Sequence, residues 1–305
     1  MRKGQKDFLY HYTSFTSFEK MMQSKNLWLV ASTEMADMTD RYYANLYVLT
    51  ALYNIDDKDV LLLRDNLTQN DIIEVNMETF EAPFYSASFC YEKENDYLWK
   101  HYADMDKGVA ICFDKEFFSK SVREIVCKYY RAIDEADEAH TEIITIRDVL
   151  YDVTNTTFLD IVKKTKPDPY YLSNSPNAYK TWLLLILSTL AGVVKAKQFS
   201  SEREARVLFV QKYLDEYITK HPIHLMLKHS MEDALKNLGL IGKPIVTEEA
   251  PKKRYELDLS TFWGERLIPH IIIGDSFSDV DKLKEVLNNN GLCKTQILNK
   301  KGERQ

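Results

Sequence analysis

FYSASFCYEKENDYLWKHYADMDKGVAICFD, residues 84–114, is the stretch that decides the fold. Its apolar, aromatic start predicts a strand over residues 84–91, and Asn95 is a suitable cap for a helix. Gly108 ends that helix, and a second strand follows over residues 109–113. Strands and helices interleave in this way along the whole chain, without the regular alternation of a doubly wound fold.

The rest of the chain predicts an α+β protein with a mixed, mostly antiparallel sheet and helical insertions. We expect one domain over residues 1–305, with one helical insertion at about 33–80 and a further helical segment at about 140–198. Further strands are predicted at 8–13, 27–31, 122–129, 204–211, 254–259, 267–273 and 294–298. Helices are predicted at 15–22, 33–51, 56–74, 142–164, 174–195 and 278–288.

Composition excludes several classes of protein. The net charge is −6 with 45% hydrophobic residues, which favours a globular chain over a disordered or generally nucleic-acid-binding one. The most apolar run, residues 182–194, is shorter than the roughly 20 residues that cross a bilayer. The amino terminus lacks the apolar core of a signal peptide. We therefore expect a cytoplasmic protein with no membrane partner.

Familiar cofactor and metal motifs are missing from the sequence. It contains no G-x-G-x-x-G, no P-loop, no H-E-x-x-H and no G-x-S-x-G. The four cysteines form no C-x-x-C pair, so free thiols and no metal are expected. Aromatic residues make up 12% of the chain, which fits either a ring-rich core or a cleft that stacks on a flat ligand.

Two polar groups near the amino terminus are candidate ligand contacts. His11, with Tyr12 and Thr13, lies in the first predicted strand; its imidazole either has a partner in the core or faces a cleft, where it contacts ribose or phosphate. Asp40 and Arg41 lie in the first helical insertion. They fit either a helix start or the rim of a cleft, where the guanidinium pairs with phosphate.

A second group of candidates lies in the stretch quoted above. Ser88 lies within the predicted strand. Trp99 and Tyr102 are three residues apart in the predicted helix and share one of its faces. The two rings fit a core-facing pair or a pair that stacks on a planar ligand equally well.

The third group opens the strand predicted from residue 204. Alternation places Glu202, Glu204 and Arg206 on one face of the strand and Arg203, Ala205 and Val207 on the other. One interpretation is a solvated edge on which Arg206 bridges the two acids. The other is a catalytic site, since carboxylates at the end of a buried strand suit acid–base work or charge stabilisation.

The chain resembles a widespread bacterial family that is known only as domain-of-unknown-function family 2971. The resemblance is carried by LYHYTS at 9–14, by SF…LWxxYA…KGVAIxFD over 86–114 and by FxxExExRVL at 199–208. Residues 27–40 and 262–274 also match. The chain departs from the family at Thr39, where Asn is usual, and at Phe199 and Ala205, where Trp is usual.

The layout of that family looks like the ADP-ribosyltransferase superfold. The resemblance implies an NAD-dependent ADP-ribosyltransferase or NAD glycohydrolase, a class in which toxin and anti-phage roles are common. It implies that His11 contacts ribose, that Trp99 or Tyr102 stacks on nicotinamide and that Glu204 is the catalytic glutamate. Glu202 is then the outer acid of an E-x-E pair, Arg206 orients the acid, and Arg41 binds pyrophosphate.

The sequence leaves a second function open and does not identify the acceptor of ADP-ribose, whether protein, nucleic acid or small molecule. The alternative is a non-catalytic ligand-sensing or partner-binding module that uses the same aromatic cleft. In that case Glu202, Glu204 and Arg206 form a structural ion network. The two functions differ in one geometric requirement: the enzyme needs His11, either Trp99 or Tyr102, and Glu204 on one cavity.

Overall fold

The computed structural model describes residues 7–34, 39–81, 84–131, 144–151, 153–210, 245–247 and 250–305. Its strands are β1 Phe8–Thr13, β2 Asn26–Ala31, β3 Phe84–Cys90, β4 Val109–Asp114, β5 Ile144–Asp148, β6 Leu150–Tyr151, β7 Val194–Lys195, β8 Glu204–Val210, β9 Ile245–Thr247, β10 Ala250–Asp258, β11 His270–Ile273 and β12 Gln296–Asn299. Its helices are α1 Phe15–Ser24, α2 Thr39–Asn54, α3 Lys58–Asp65, α4 Gln69–Glu81, α5 Asp96–His101, α6 Lys115–Arg131, α7 Asn155–Thr165, α8 Pro169–Asn174, α9 Ala178–Leu190 and α10 Val280–Asn289.

The described strands form a mixed, mostly antiparallel open sheet, so the predicted α+β class is confirmed. The main path through the sheet runs β12-β11-β4-β1-β3-β2-β10-β9, and β8 and β5 branch from β3. In this sheet β11 and β12 are parallel, whereas the other described pairs are antiparallel. A separate parallel pair joins β6 and β7.

Two of the predicted helix caps are present. The Ser14 hydroxyl accepts from the amide of Ser17 and begins α1, and the Asn95 side chain accepts from the amide of Leu98 and begins α5. Each cap satisfies an amide that has no partner within its helix. The α5 cap fixes where the residues after β3 turn back over the sheet.

Several predictions of secondary structure are wrong. Residues 56–74, predicted as one helix, contain α3 and the start of α4, and residues 194–195, predicted as the end of a helix, form β7. Residues 122–129, predicted as a strand, belong to α6, whose Phe118, Val122 and Ile125 are buried at helical spacing. Residues 142–164, predicted as one helix, contain β5, β6 and most of α7. Alternating β-branched residues in ITIRD suit β5, which pairs along the outer edge of β8.

Helices cover both faces of the sheet. On one face, α1, α6 and α10 enclose a core that includes Phe89, Val207 and Phe209. On the other face, α2, α3, α4, α7 and α9 pack over Phe84 and Leu208. A smaller cluster under α5, with Tyr12, Cys90, Trp99, Ala103 and Ile272, lies on this second face at a distance from the helical layer. The second face is therefore left open between α5 and the helical layer.

Strand β3 has a gap along one edge. Its partner is β1 at Cys90 and β2 at Tyr85 and Ser86, while β8 pairs with its other edge over the whole length. Residues 87–89 therefore have no strand partner on the first edge. The gap lies beneath the open part of the second face, and the two together shape the cavity described below.

The structure also bears on two expectations about cysteines and membranes. Cys90 and Cys112 are buried free thiols, as expected. The side chain of Cys127 lies outside the described residues. None of the described helices has the length and apolar character needed to cross a membrane.

Candidate functional site

A cavity of about 490 Å³ occupies the open part of the second sheet face. Its floor is formed by β3 and the start of β8, and its walls come from β1, β2, α5 and the segment around β7. Most of the residues predicted to form a site line this cavity: His11, Tyr12, Ser88, Tyr102, Glu202, Glu204 and Arg206.

The remaining predicted site residues do not line it or are not described. Thr13 is buried elsewhere, and Trp99 is 1% exposed and donates its ring N–H to the carbonyl of Lys93. The side chains of Asp40 and Arg41 lie outside the described residues.

Trp99 and Tyr102 do not share a face, contrary to the sequence prediction. Helix α5 ends at His101, so Tyr102 is its C-cap and turns away from the core. Tyr102 is 53% exposed, whereas Trp99 packs edge-on against Tyr12. The aromatic rings that α5 presents to the cavity are therefore Tyr102 and Tyr97, the latter 44% exposed.

Four buried charges meet at the floor of the cavity. The Arg206 guanidinium binds Glu204 through two nitrogens, with Nε–Oε1 2.6 Å and Nη2–Oε2 2.9 Å. The Lys195 ammonium lies 2.6 Å from Oε2 of Glu202 and 3.5 Å from Oε2 of Glu204. The third donor of Arg206 reaches the carbonyl of Gly192 at 2.9 Å. We call Lys195, Glu202, Glu204 and Arg206 the ion cluster.

The interpretation of this region as a solvated edge is wrong. All four side chains of the ion cluster are buried, and the two cations balance the two anions. A buried charge without a partner is strongly unfavourable, so the ion cluster depends on all four members. Lys195 of β7 was not predicted as a site residue, because it follows an apolar run. Nothing in the sequence shows that its ammonium group points towards the two glutamates.

Local backbone geometry brings Glu202 to the ion cluster. Alternation predicted that Glu202 lies in the strand, and this is wrong. Glu202 is the last residue of a 3-10 turn over Lys197–Glu202. Arg203 then adopts a left-handed backbone with φ 45° before β8 begins. Glu204 and Arg206 do share a strand face, opposite Ala205 and Val207, as predicted.

The two glutamates differ in their proton affinity. Burial raises the pKa of Glu202 above its ordinary value, and Lys195 offsets only part of this effect. Burial also acts to raise the pKa of Glu204, but the charges of Arg206 and Lys195, with hydrogen bonds from Arg206 and Ser88, outweigh it and hold that pKa below its ordinary value. Paired carboxylates with separated pKa values are typical of acid–base sites.

His11 reaches the cavity through the gap in the sheet. Leu9, two residues before His11 in β1, packs in the core on the first face. Strand alternation alone would therefore place His11 on that face too. In the gap its Nδ1–H donates a hydrogen bond to the carbonyl oxygen of Ser88, at 2.9 Å, and its ring packs against Phe89. The imidazole thus replaces a missing hydrogen bond of the sheet.

The charge state of His11 sets the kind of contact it offers. Burial lowers the pKa of His11 below its ordinary value, and the bond to Ser88 offsets only part of the shift. A neutral imidazole that donates through Nδ1 presents Nε2 as an acceptor. His11 therefore suits a ligand hydroxyl, whereas a phosphate oxygen would need a donor.

The far end of the cavity was not predicted from the sequence. It is lined by Trp28 and Val30 of β2, by Ser86 of β3, and by Glu34 and Lys252. Alternation in NLWLVA does place Trp28 and Val30 on one face. The sequence did not predict that they line a cavity, because the pairing of β2 with β3 that places this face beside Ser86 is a long-range contact.

The comparisons with known proteins identify a family but no function. A family model described as "Protein of unknown function (DUF2971)" matches residues 98–207. Over this stretch the chain is similar to that family. The DUF2971 region begins in α5 and ends within β8, so it includes Tyr102, Lys195 and the other three members of the ion cluster. No curated protein and no solved structure matches the chain.

Grouped metal ligands are absent from the described residues. In the portion of the chain that the structure describes, no three or more His, Cys, Asp or Glu side chains are grouped so as to hold an ion. The thiols that line or adjoin the cavity are also poor ligands, because burial raises the pKa of Cys90 to about 11 and that of Cys112 to about 12.

Proposed function

We propose that the cavity binds NAD and cleaves the bond between nicotinamide and ribose, as in an ADP-ribosyltransferase or an NAD glycohydrolase. The observation that carries the proposal is the convergence of His11, Tyr102, Glu202 and Glu204 on one cavity. These residues come from three separate parts of the chain, and the two carboxylates differ in proton affinity.

Each group has a distinct part in this reaction. Cleavage makes the ribose oxocarbenium-like, and a fixed carboxylate stabilises that positive charge. Glu204, which Arg206 and Lys195 keep ionised, supplies the constant negative charge. Glu202, with its raised pKa, takes the proton from the attacking hydroxyl or water. Tyr102 stacks on nicotinamide, and Nε2 of neutral His11 accepts a hydrogen bond from a ribose hydroxyl.

The test follows nicotinamide release from NAD by the full chain. We expect Glu202→Gln and Glu204→Gln each to lower the rate by about 100-fold or more, the usual effect of removing a charged group at a transition state. The control is Glu285→Gln, on the exposed side of α10, which leaves the rate unchanged. No release by the wild type, alone or with protein or nucleic acid acceptors, would contradict the proposal.

The products separate the two activities. A glycohydrolase yields free ADP-ribose with water alone. A transferase releases nicotinamide faster when its acceptor is added and leaves ADP-ribose attached to that acceptor. Labelled NAD, offered first in buffer and then with lysate protein, RNA and DNA, therefore assigns the acceptor class.

A non-catalytic binding module is the second candidate, and one observation favours it. Both carboxylate oxygens of Glu204 are already bound, Oε1 by Arg206 and Oε2 by Arg206 and Lys195. A carboxylate held in this way suits a structural role. The module is favoured over the enzyme if NAD binds saturably without release of nicotinamide, and if Glu202→Gln binds NAD with the same affinity as the wild type.

A further inference from the structure

Trp28 forms a rigid platform at the far end of the cavity. The guanidinium carbon of Arg254 lies 4.1 Å from the centroid of the Trp28 ring. Arg254 is held in turn by Glu256, with Nε–Oε1 3.0 Å, and Glu256 accepts from Asn26 at 3.0 Å. Because the cation covers one side of the indole and the indole lines the cavity, the ring offers its other side to a ligand.

Ser86 supplies an unused polar group beside this platform. It is 3% exposed, and its hydroxyl makes no hydrogen bond to any described residue. Its backbone lies opposite Val30 of β2, two residues from Trp28, and it lines the same cavity. A buried hydroxyl without a partner is unfavourable, so such a group in a cavity wall points to a ligand that completes it.

We propose that Trp28 and Ser86 form a subsite for a planar heteroaromatic base, which stacks on the indole and hydrogen-bonds the Ser86 hydroxyl through its edge. Stacking on an exposed aromatic face is a general way to hold a nucleobase, and the hydroxyl serves as donor or acceptor. If the cavity binds NAD as proposed above, this base is the adenine.

The spacing along the floor of the cavity assigns adenine, and not nicotinamide, to this end. Cys90 is level with Glu204, whereas Ser86 is level with Leu208, four residues further along β8. That separation is about 13 Å along the strand. The bond that is cleaved must lie beside the carboxylates, so the other base of a dinucleotide reaches the Ser86 end. Lys252 also lines this end and offers an ammonium group to a phosphate of the ligand.

The Ser86 hydroxyl gives the subsite a distinctive signature. In most buried positions, removing a hydroxyl breaks an existing hydrogen bond and destabilises the protein. Ser86→Ala breaks none among the described contacts, so the free protein keeps or gains stability while it loses affinity for the base. Ser32→Ala is a matched control, because that hydroxyl is equally buried and without a partner but does not line the cavity.

The experiment measures binding of AMP and of nicotinamide mononucleotide by calorimetric titration of the full chain. We expect Ser86→Ala to weaken AMP binding about five-fold and Trp28→Leu about ten-fold. Neither variant changes the affinity for nicotinamide mononucleotide, and Ser32→Ala changes neither affinity. Urea unfolding of Ser86→Ala is expected to give a midpoint at or above that of the wild type.

Two sets of results overturn the inference, and they differ from failure of the proposed function. AMP affinity that is unchanged in both Ser86→Ala and Trp28→Leu removes the subsite, even when NAD is cleaved. If these two variants instead lose nicotinamide mononucleotide binding and keep AMP binding, the subsite holds nicotinamide. That result also overturns the inference. AMP binding that depends on Ser86 in a protein that never releases nicotinamide retains the subsite and removes only the proposed reaction.

Discussion

Two glutamates that are two residues apart in the chain lie in different electrostatic settings. Glu204 accepts from Arg206, Lys195 and Ser88, while Glu202 contacts Lys195 and faces the charge of Glu204. As a result one carboxylate binds its proton less tightly than an ordinary glutamate and the other more tightly. The difference is measurable in the stability of the free protein, without any ligand.

Replacing each acid by glutamine is expected to change the pH dependence of stability in opposite directions. The folded pKa of Glu204 is lowered, so its contribution is present above the unfolded value of about 4.3 and is lost as the pH falls through the folded value. Near neutral pH the free energy of unfolding of Glu204→Gln is therefore about 3 kcal/mol lower than that of the wild type. This difference becomes smaller as the pH falls. Urea unfolding over a pH series measures it.

The folded pKa of Glu202 is raised, so the sign is reversed. Its contribution is present below about pH 4.3 and is lost as the pH rises through the folded value. Relative to the wild type, Glu202→Gln therefore gains stability as the pH rises through that range. Parallel pH profiles for the two variants would show that the glutamates share one environment and would contradict both expectations.

His11 provides a second prediction at the scale of single atoms. We expect a neutral ring with its proton on Nδ1 at about pH 6.5, where half of ordinary histidines are charged. Long-range proton–nitrogen NMR distinguishes this tautomer from the alternatives. A charged ring at that pH would show that burial does not control His11 and would remove its role as an acceptor.

At the scale of elements, the loop after α5 determines where Tyr102 lies. Asp104, Met105 and Asp106 all adopt left-handed backbones, with φ 48°, 55° and 71°. Such geometry persists only when surrounding contacts hold it. Here the amide of Ser276 donates to the carbonyl of Asp106, and Lys300 pairs with the Asp106 carboxylate at 2.5 Å.

Gly274 allows this contact because it has no side chain. A Cβ at that position would lie 2.0 Å from the carbonyl oxygen of Asp106, a backbone atom that cannot rotate away. We expect Gly274→Ala to destabilise the protein by about 2 kcal/mol or more, and to weaken nicotinamide mononucleotide binding by moving Tyr102. Chemical unfolding and titration measure the two effects.

The control for this substitution is Ser276→Ala, which keeps the backbone bond to the same loop. It is expected to change stability by less than about 0.5 kcal/mol. Equal effects of Ser276→Ala and Gly274→Ala would show that the loop is not held by the close approach of Gly274.

Sequence patterns predicted the elements of this protein better than the cavity. Caps and alternation identified β1, β3, α5 and β8, because these signals are local. The apolar spacing of α6 resembled that of a strand, since several of its residues are β-branched or aromatic. Lys195 and Trp28 could not be assigned, because both positions depend on long-range contacts. Lys195 reaches Glu204 from a separate strand pair, and Trp28 reaches the cavity through the pairing of β2 with β3.

At the scale of the whole molecule, the cavity lies between two separately packed groups of side chains. The α5 cluster forms one wall, and the segment that follows the helical layer forms the other, with β3 and β8 beneath. A ligand that contacts both walls adds bonds that exist only in the folded chain. Binding is therefore expected to stabilise the whole fold.

We expect NAD at about 100 times its Kd to raise the free energy of unfolding by about 2.7 kcal/mol. For a chain of this size the melting midpoint then rises by about 4 °C. Scanning calorimetry of Glu202→Gln, which prevents turnover during heating, measures the shift. The absence of any shift at millimolar NAD would contradict binding across the two walls.

Gly192 links the ion cluster to the rest of the fold without approaching the cavity. Its carbonyl accepts from Arg206, its φ of 74° suits glycine, and an added Cβ would lie 2.7 Å from Leu208 and 2.9 Å from Phe84. In a saturation mutagenesis screen, this position should tolerate as few replacements as the glutamates themselves. Natural selection for the activity of the protein would therefore also restrict variation at Gly192, a residue that does not contact the ligand.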